Sequence, residues 1–261
     1  MVVLILRYVE GDRFSALHLS GILLTGSANE VMYFVPLLTQ FYLLSPFIIF
    51  WAKKNWVSLI VIALILQVLV QLSAYSLVNV VALPIGDGIN VFIPKWFFLS
   101  RIFWFPLGVV IGLQRKIYMQ FILRYKWIWL VGAILFYLAA FMEWELLYRN
   151  SGEQWLAHIE TNIDNLYSIA VLFLLLALNS SLGRWYSWIS EVGTKSYGIY
   201  LTHAIFIMYT ARIIYHSAPG LLAYQLVLQP ILIAVGLGVP LALMAITDRT
   251  LLRRWYSYLY G

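Results

Sequence analysis

His203 has the most chemistry to offer in this sequence. It stands inside the apolar run Val192–Tyr215, where an ionisable side chain is costly and more often functional than in water. At helical spacing it shares a face with Ser196, Tyr200 and Thr210. That face could line a cavity with hydroxyls beside an imidazole able to carry a proton. The competing reading is a neutral histidine hydrogen-bonded to a neighbouring helix. Arg101, about a turn and a half inside its own apolar run, would hold an anionic sugar or phosphate; equally it would reach the headgroups or pair with an acidic neighbour. Arg212 lies nearer an end, where reaching the headgroups is the simpler reading. Arg115, Lys116, Arg124 and Lys126 gather around one connection. They would attract phosphates, or else set the topology and touch anionic lipid. His18, His158 and His216 show no metal-ligand spacing. With no cysteine in the chain, thiolate metal sites and cysteine nucleophiles are excluded. No phosphate-cradling Gly-rich loop and no His-Glu-x-x-His occurs, so no metal and no bound cofactor is expected.

The elements that must position these residues are lipid-embedded helices. Of the 261 residues, 63% are hydrophobic and 11% charged, against roughly 25% charged in soluble domains. So few charges cannot cover a water-exposed surface. The formal net charge of +6 is scattered in short groups between apolar runs, which argues against nucleic acid as a partner. The start, Met1–Arg7, has too short an apolar stretch for a signal peptide.

About seven runs approach the ~20 residues needed to cross a bilayer: Glu30–Trp51, Trp56–Val78, Trp96–Leu113, Trp127–Leu147, Asp164–Leu182, Val192–Tyr215 and Tyr224–Thr247. A lone span must satisfy its own backbone hydrogen bonds, and no barrel-like alternation is present, so all are read as helices. The expected fold is all-α: a polytopic membrane helix bundle. Trp51, Trp56, Trp96, Trp127, Tyr215 and Tyr224 at span ends suit the membrane interface. Lys53 and Lys54, the four cations at 115–126, Arg184, and Arg249, Arg253 and Arg254 fall in alternate connections. Those connections and the C-terminus are therefore expected in the cytoplasm. Asp87, Lys95, Arg149, Glu153 and Glu160 fall outside. The organisation expected is an outer-side segment over 1–29, a membrane domain over 30–247 and a basic cytoplasmic tail over 248–261. Gly108-x-x-x-Gly112 permits close helix approach.

Two stretches carry more than hydropathy: Tyr33-Phe-Val-Pro-Leu-Leu-Thr-Gln-Phe-Tyr-Leu-Leu-Ser-Pro46 and Ser196-Tyr-Gly-Ile-Tyr-Leu-Thr-His203. A third is Arg101-Ile-Phe-Trp-Phe-Pro-Leu-Gly-Val-Val-Ile-Gly112. In this order and spacing they resemble the acyltransferase 3 family of multispan membrane acyltransferases. The resemblance implies transfer of an acyl group, usually acetyl, from cytoplasmic acyl-CoA to a hydroxyl of a glycan or lipid-linked saccharide, in the inner membrane of a bacterial cell. It makes His203 the candidate catalytic residue. Arg101, Tyr42, Tyr197 and Tyr200 become candidate substrate contacts. Arg115, Lys116, Arg124 and Lys126 become candidates for the donor's phosphates. The family's first-helix histidine, with a basic residue about ten positions earlier, and its Arg-x-x-Arg pair have no counterpart here. Leu38 and Thr39 stand where some members have Glu-Glu. Residues 1–9 read as the outer tail of a further helix. Three preceding spans would complete the family's ten, so an upstream catalytic segment or a second copy of the chain is the expected partner. Two other readings stand beside this one: an exporter of lipid-linked saccharide, and a non-catalytic remnant.

Overall fold

A computed structural model describes residues 15–27, 31–75, 94–151, 160–178, 183, 185–256 and 260. The expected tail at 1–9 and the connection residues Asp87, Glu153, His158 and Arg184 lie outside them. The described residues form helices and no strand. Three helical stretches are long and apolar enough to cross a membrane: Phe34–Ser73, Lys126–Asn150 and Gln225–Arg249. Only 11% of the most apolar window of Lys126–Asn150 is buried by protein. Its outward leucines, isoleucines and aromatics therefore call for lipid.

The helices are α1 (Ala16–Thr25), α2 (Phe34–Ala74), α3 (Trp104–Leu113), α4 (Arg115–Arg124), α5 (Lys126–Ser151), α6 (Asn162–Leu178), α7 (Trp185–Thr194), α8 (Ser196–Ser217) and α9 (Gln225–Arg249). Short 3₁₀ turns cover Phe98–Arg101, Pro219–Ala223 and Leu251–Trp255. They fall into two units. One comprises the described residues of Leu24–Gly26 and Tyr33–Ser181; the other those of Met1–Leu23, Ser27–Met32 and Leu182–Gly261.

In the first unit, α2 joins two expected spans with no loop between them. Lys53 and Lys54 are helical, and Asn55 alone leaves the helix, at φ −157°, ψ 86°. Its side chain explains why one residue suffices. Asn55 Oδ1 accepts from Ser58 N at 3.1 Å, capping the second half of α2 as an asparagine does at a helix start. Ser58 Oγ donates to Asn55 O at 3.0 Å and accepts from Trp51 Nε1 at 3.0 Å. Asn55→Ala removes the cap and should cost about 1 kcal/mol, read as a lower thermal midpoint in detergent.

Before Asn55 the buried stripe of α2 is Leu37, Phe41, Ile48 and Ala52, in steps of four and seven that keep one helical face, and Leu59 beyond the break joins the same cluster. Phe41 stacks on Phe105 of α3, with centroids 4.8 Å apart. The expected span Trp96–Leu113 is a 3₁₀ turn followed by a ten-residue helix. Two glutamines of α2 supply what that irregular backbone lacks. Gln40 accepts from Phe98 N at 3.1 Å and donates to Trp96 O at 2.7 Å. Gln67, 1% exposed, accepts from Phe103 N at 3.3 Å and donates to Ser100 O at 3.0 Å. Non-helical backbone survives inside an apolar bundle only where protein groups satisfy it.

The connection after α3 is itself a helix, α4, bounded by single-residue breaks at Gln114 and Tyr125. It buries Ile122 completely and exposes Ile117, Phe121 and Leu123 beside its cations, the pattern of a helix lying in an interface. α5 and α6 pack through Trp129 on Phe173, centroids 4.9 Å apart, and through Gly132 against Ala170. A reciprocal capping box starts α6: Thr161 N donates to Asp164 Oδ2 at 3.0 Å, and Asp164 N to Thr161 Oγ1 at 3.2 Å.

In the second unit, α8 packs along α9, and the Pro219–Ala223 turn joins them. The expected span Val192–Tyr215 is interrupted, because α7 ends at Thr194 and α8 begins at Ser196. Lys195 sits between them, its Nζ 2.6 Å from Glu191 Oε1. That contact holds the Glu191 carboxyl below the usual carboxylate range.

Candidate functional site

The Ser196–His203 motif forms the first two turns of α8, and backbone geometry settles the state of its imidazole. His203 Nδ1 lies 2.7 Å from Tyr200 O and 3.1 Å from Ile199 O. Both partners are carbonyl oxygens, so Nδ1 must donate and carry the proton. In the neutral ring Nε2 then keeps its lone pair and is free to accept. The imidazole is therefore anchored to its own helix, not to a neighbouring one. The Tyr200 ring lies 5.7 Å from it, and the Tyr200 hydroxyl donates to Val31 O.

His203, Tyr200 and Ser196 line a groove of about 730 Å³, with Val192 of α7 and Gln229 and Gly236 of α9. Most of the remaining lining is isoleucine and leucine. Three members of the expected face thus meet one cavity; Thr210 and Tyr197 do not line it. Gly236 allows α9 to approach beneath the imidazole: a Cβ there would lie 2.9 Å from Ile207 Cδ1 and 4.0 Å from His203 Cβ.

Gly198, on α8, permits a second close approach. A Cβ on it would fall 2.0 Å from Met244 Cε and 3.2 Å from Tyr260 O. The methionine end can move; the backbone oxygen cannot follow cheaply. Gly198→Val should destabilise this unit by about 1–3 kcal/mol and lower the yield of monodisperse protein on size exclusion.

The other expected site residues belong to the first unit. Arg101 ends the 3₁₀ turn, ahead of the helix it was expected to sit inside. Its side chain is 19% exposed and its guanidinium pairs with the Glu160 carboxylate; its Nη1 also donates to Ser100 O at 2.9 Å. An acidic neighbour, of the alternatives open from sequence, is what it finds. Tyr42 is 64% exposed on α2. Arg115, Lys116, Arg124 and Lys126 are all exposed. Arg124 lies over the Tyr125 ring at 5.6 Å and Lys126 over Trp127 at 5.5 Å. At 1.5 Å per residue the two ends of α4 are ~14 Å apart. The four cations therefore make two separated pairs.

Sequence reasoning passes over the amides. Gln40, Gln67, Gln71 and Asn165 all make bonds across elements. The available signal is an uncharged polar side chain within an apolar run, a common glue between membrane helices.

The acyltransferase 3 family profile, described as an acyltransferase domain, matches residues 1–247. The chain belongs to the acyltransferase 3 family. Comparison with curated proteins and with solved structures found no match. Family membership agrees with the apolar helices in making this acyltransferase 3 chain a membrane protein. Within its Tyr200-Leu-Thr-His203 element, Tyr200 and His203 line one groove.

Proposed function

We propose that this acyltransferase 3 chain transfers an acyl group, acetyl in the simplest case, from cytoplasmic acyl-CoA to a saccharide hydroxyl of the cell envelope. The family match over residues 1–247 carries the reading. The seven-span layout with a cytoplasmic C-terminus, deduced from loop charges, belongs to the same proposal, as does placement in the inner membrane.

In this scheme the Nε2 lone pair of His203 takes the acceptor's hydroxyl proton. The oxygen attacks the thioester carbonyl, a C–O bond forms, and the tetrahedral adduct collapses with cleavage of the C–S bond. The departing thiolate recovers the proton from the imidazolium. Support comes from the anchored Nδ1 and from the groove that His203 lines. The separated cation pairs at the ends of α4 suit a donor with phosphates at two places, its pyrophosphate and its ribose phosphate. Arg101, Tyr42, Tyr197 and Tyr200 are the proposed acceptor contacts.

The test is label transfer from radioactive acetyl-CoA to lipid-linked saccharide in proteoliposomes. It is run with the chain alone and with an added three-span segment bearing a histidine and a basic residue. Labelled saccharide in either arm is the expected result. Folded protein with no covalent product in both arms would remove the proposal.

A further inference from the structure

Gln71, 4% exposed, ends a chain of amides whose orientation is forced. Trp104 Nε1 lies 3.2 Å from Asn165 Oδ1. An indole N–H can only donate, so Asn165 turns its oxygen to Trp104. Its NH₂ therefore faces Gln71, and Gln71 answers with Oε1. The Gln71 NH₂ is what remains. Among the described residues it is buried without a hydrogen-bond partner. Flipping either amide would set like atoms against each other, so the unspent donor is a consequence of the packing.

A second unpartnered atom lies on the same helix as Asn165. Asn162 Oδ1, three residues earlier, is buried without a donor. The two are neighbours in the fold. Tyr75 caps the end of α2 one turn after Gln71, and Asn165 and Asn162 are one turn apart on α6. Gln71 meets Asn165, while the Tyr75 hydroxyl donates to Glu143 and lies beside Thr161 and the backbone of Asn162. One buried donor and one buried acceptor thus sit in adjacent turns of a helix pair, where water is scarce and each is costly.

We propose that Gln71 and Asn162 form a hydroxyl-recognition subsite for the saccharide acceptor, with the Trp104 and Tyr75 rings beside it. A hydroxyl satisfies both atoms, since it accepts from the Gln71 NH₂ and donates to Asn162 Oδ1. A phosphate or carboxylate satisfies only the first and is repelled by Asn162 Oδ1 and the nearby Glu143 carboxylate. This subsite rests on the saccharide acceptor of the proposed function.

Saturation-transfer NMR tests it, using the full chain in phosphatidylcholine nanodiscs with glucose, galactose, rhamnose and N-acetylglucosamine as probes. The chain should saturate at least one of them. Gln71→Met and Asn162→Leu should each weaken that binding about five- to tenfold. Trp129→Phe, which removes another unpartnered buried donor elsewhere, should leave it unchanged. Asn162 stands in the first turn of α6, so its variant reads the site even if Gln71→Met unfolds. No saturation of any sugar, or wild-type binding in both variants, would overturn the subsite. Acetyl-CoA turnover on the same samples separates the two proposals. Sugar binding without transfer, both in these samples and after addition of the three-span segment, leaves the subsite and removes the acyltransfer reading; transfer with an unchanged acceptor KM in both variants does the reverse.

Discussion

His203→Gln is expected to lower acyl transfer by about 10²–10⁴-fold, the usual contribution of a positioned general base. Glutamine can still bond to its own helix, so α8 should stay folded and the thermal midpoint should hold. It offers no basic nitrogen at the position of Nε2. The loss should fall on kcat, because the imidazole is assigned to proton transfer and not to holding donor or acceptor. Initial rates of label transfer, measured with varied donor, make the distinction. A full rate in the folded variant would mean the imidazole is structural. A rate and a midpoint that fall together would point the same way.

Gln67→Leu should cost about 2–6 kcal/mol. The side chain fits the volume, so the cost is electrostatic. Phe103 N loses its acceptor and Ser100 O its donor, and each orphaned buried group costs about 1–3 kcal/mol. Gln67→Glu should be no milder: an ionised carboxylate keeps an acceptor for Phe103 N but buries a charge against Ser100 O, so its penalty should be at least as large. Thermal unfolding in detergent, followed by circular dichroism, gives both values. The same substitutions should loosen the 3₁₀ turn that ends in Arg101. Wild-type stability in Gln67→Leu would show that water or lipid headgroups reach this backbone.

Hydropathy and charge make much of the fold legible along the chain. The apolar runs at 34–73, 126–150 and 225–249 are helices, and the motif ending in His203 lies on one. Some boundaries fall elsewhere than hydropathy puts them, for local reasons that the sequence does contain. Asn55 followed by Ser58 is a cap, so the Lys53–Lys54 pair marks a bend and not a loop. Thr161 and Asp164 have capping-box spacing, and α6 starts there. Arg115–Arg124 stands out in the sequence for its charges, yet its apolar positions make it a helix with Ile122 at the buried centre.

The sequence by itself determined that this chain lives in lipid as helices, because the cost of exposing apolar residues to water is summed residue by residue along the chain. It also marked His203 as the ionisable group to explain. Only the tertiary structure decided which nitrogen of that ring is free, what Arg101 pairs with, and where the amides of Gln67 and Gln71 are spent. Those answers depend on partners 33, 59 and 94 residues away for Gln67, Arg101 and Gln71, and on a carbonyl direction within one helical turn for His203. Hydrogen bonds are set by distance and angle in space, and no count along the chain contains either.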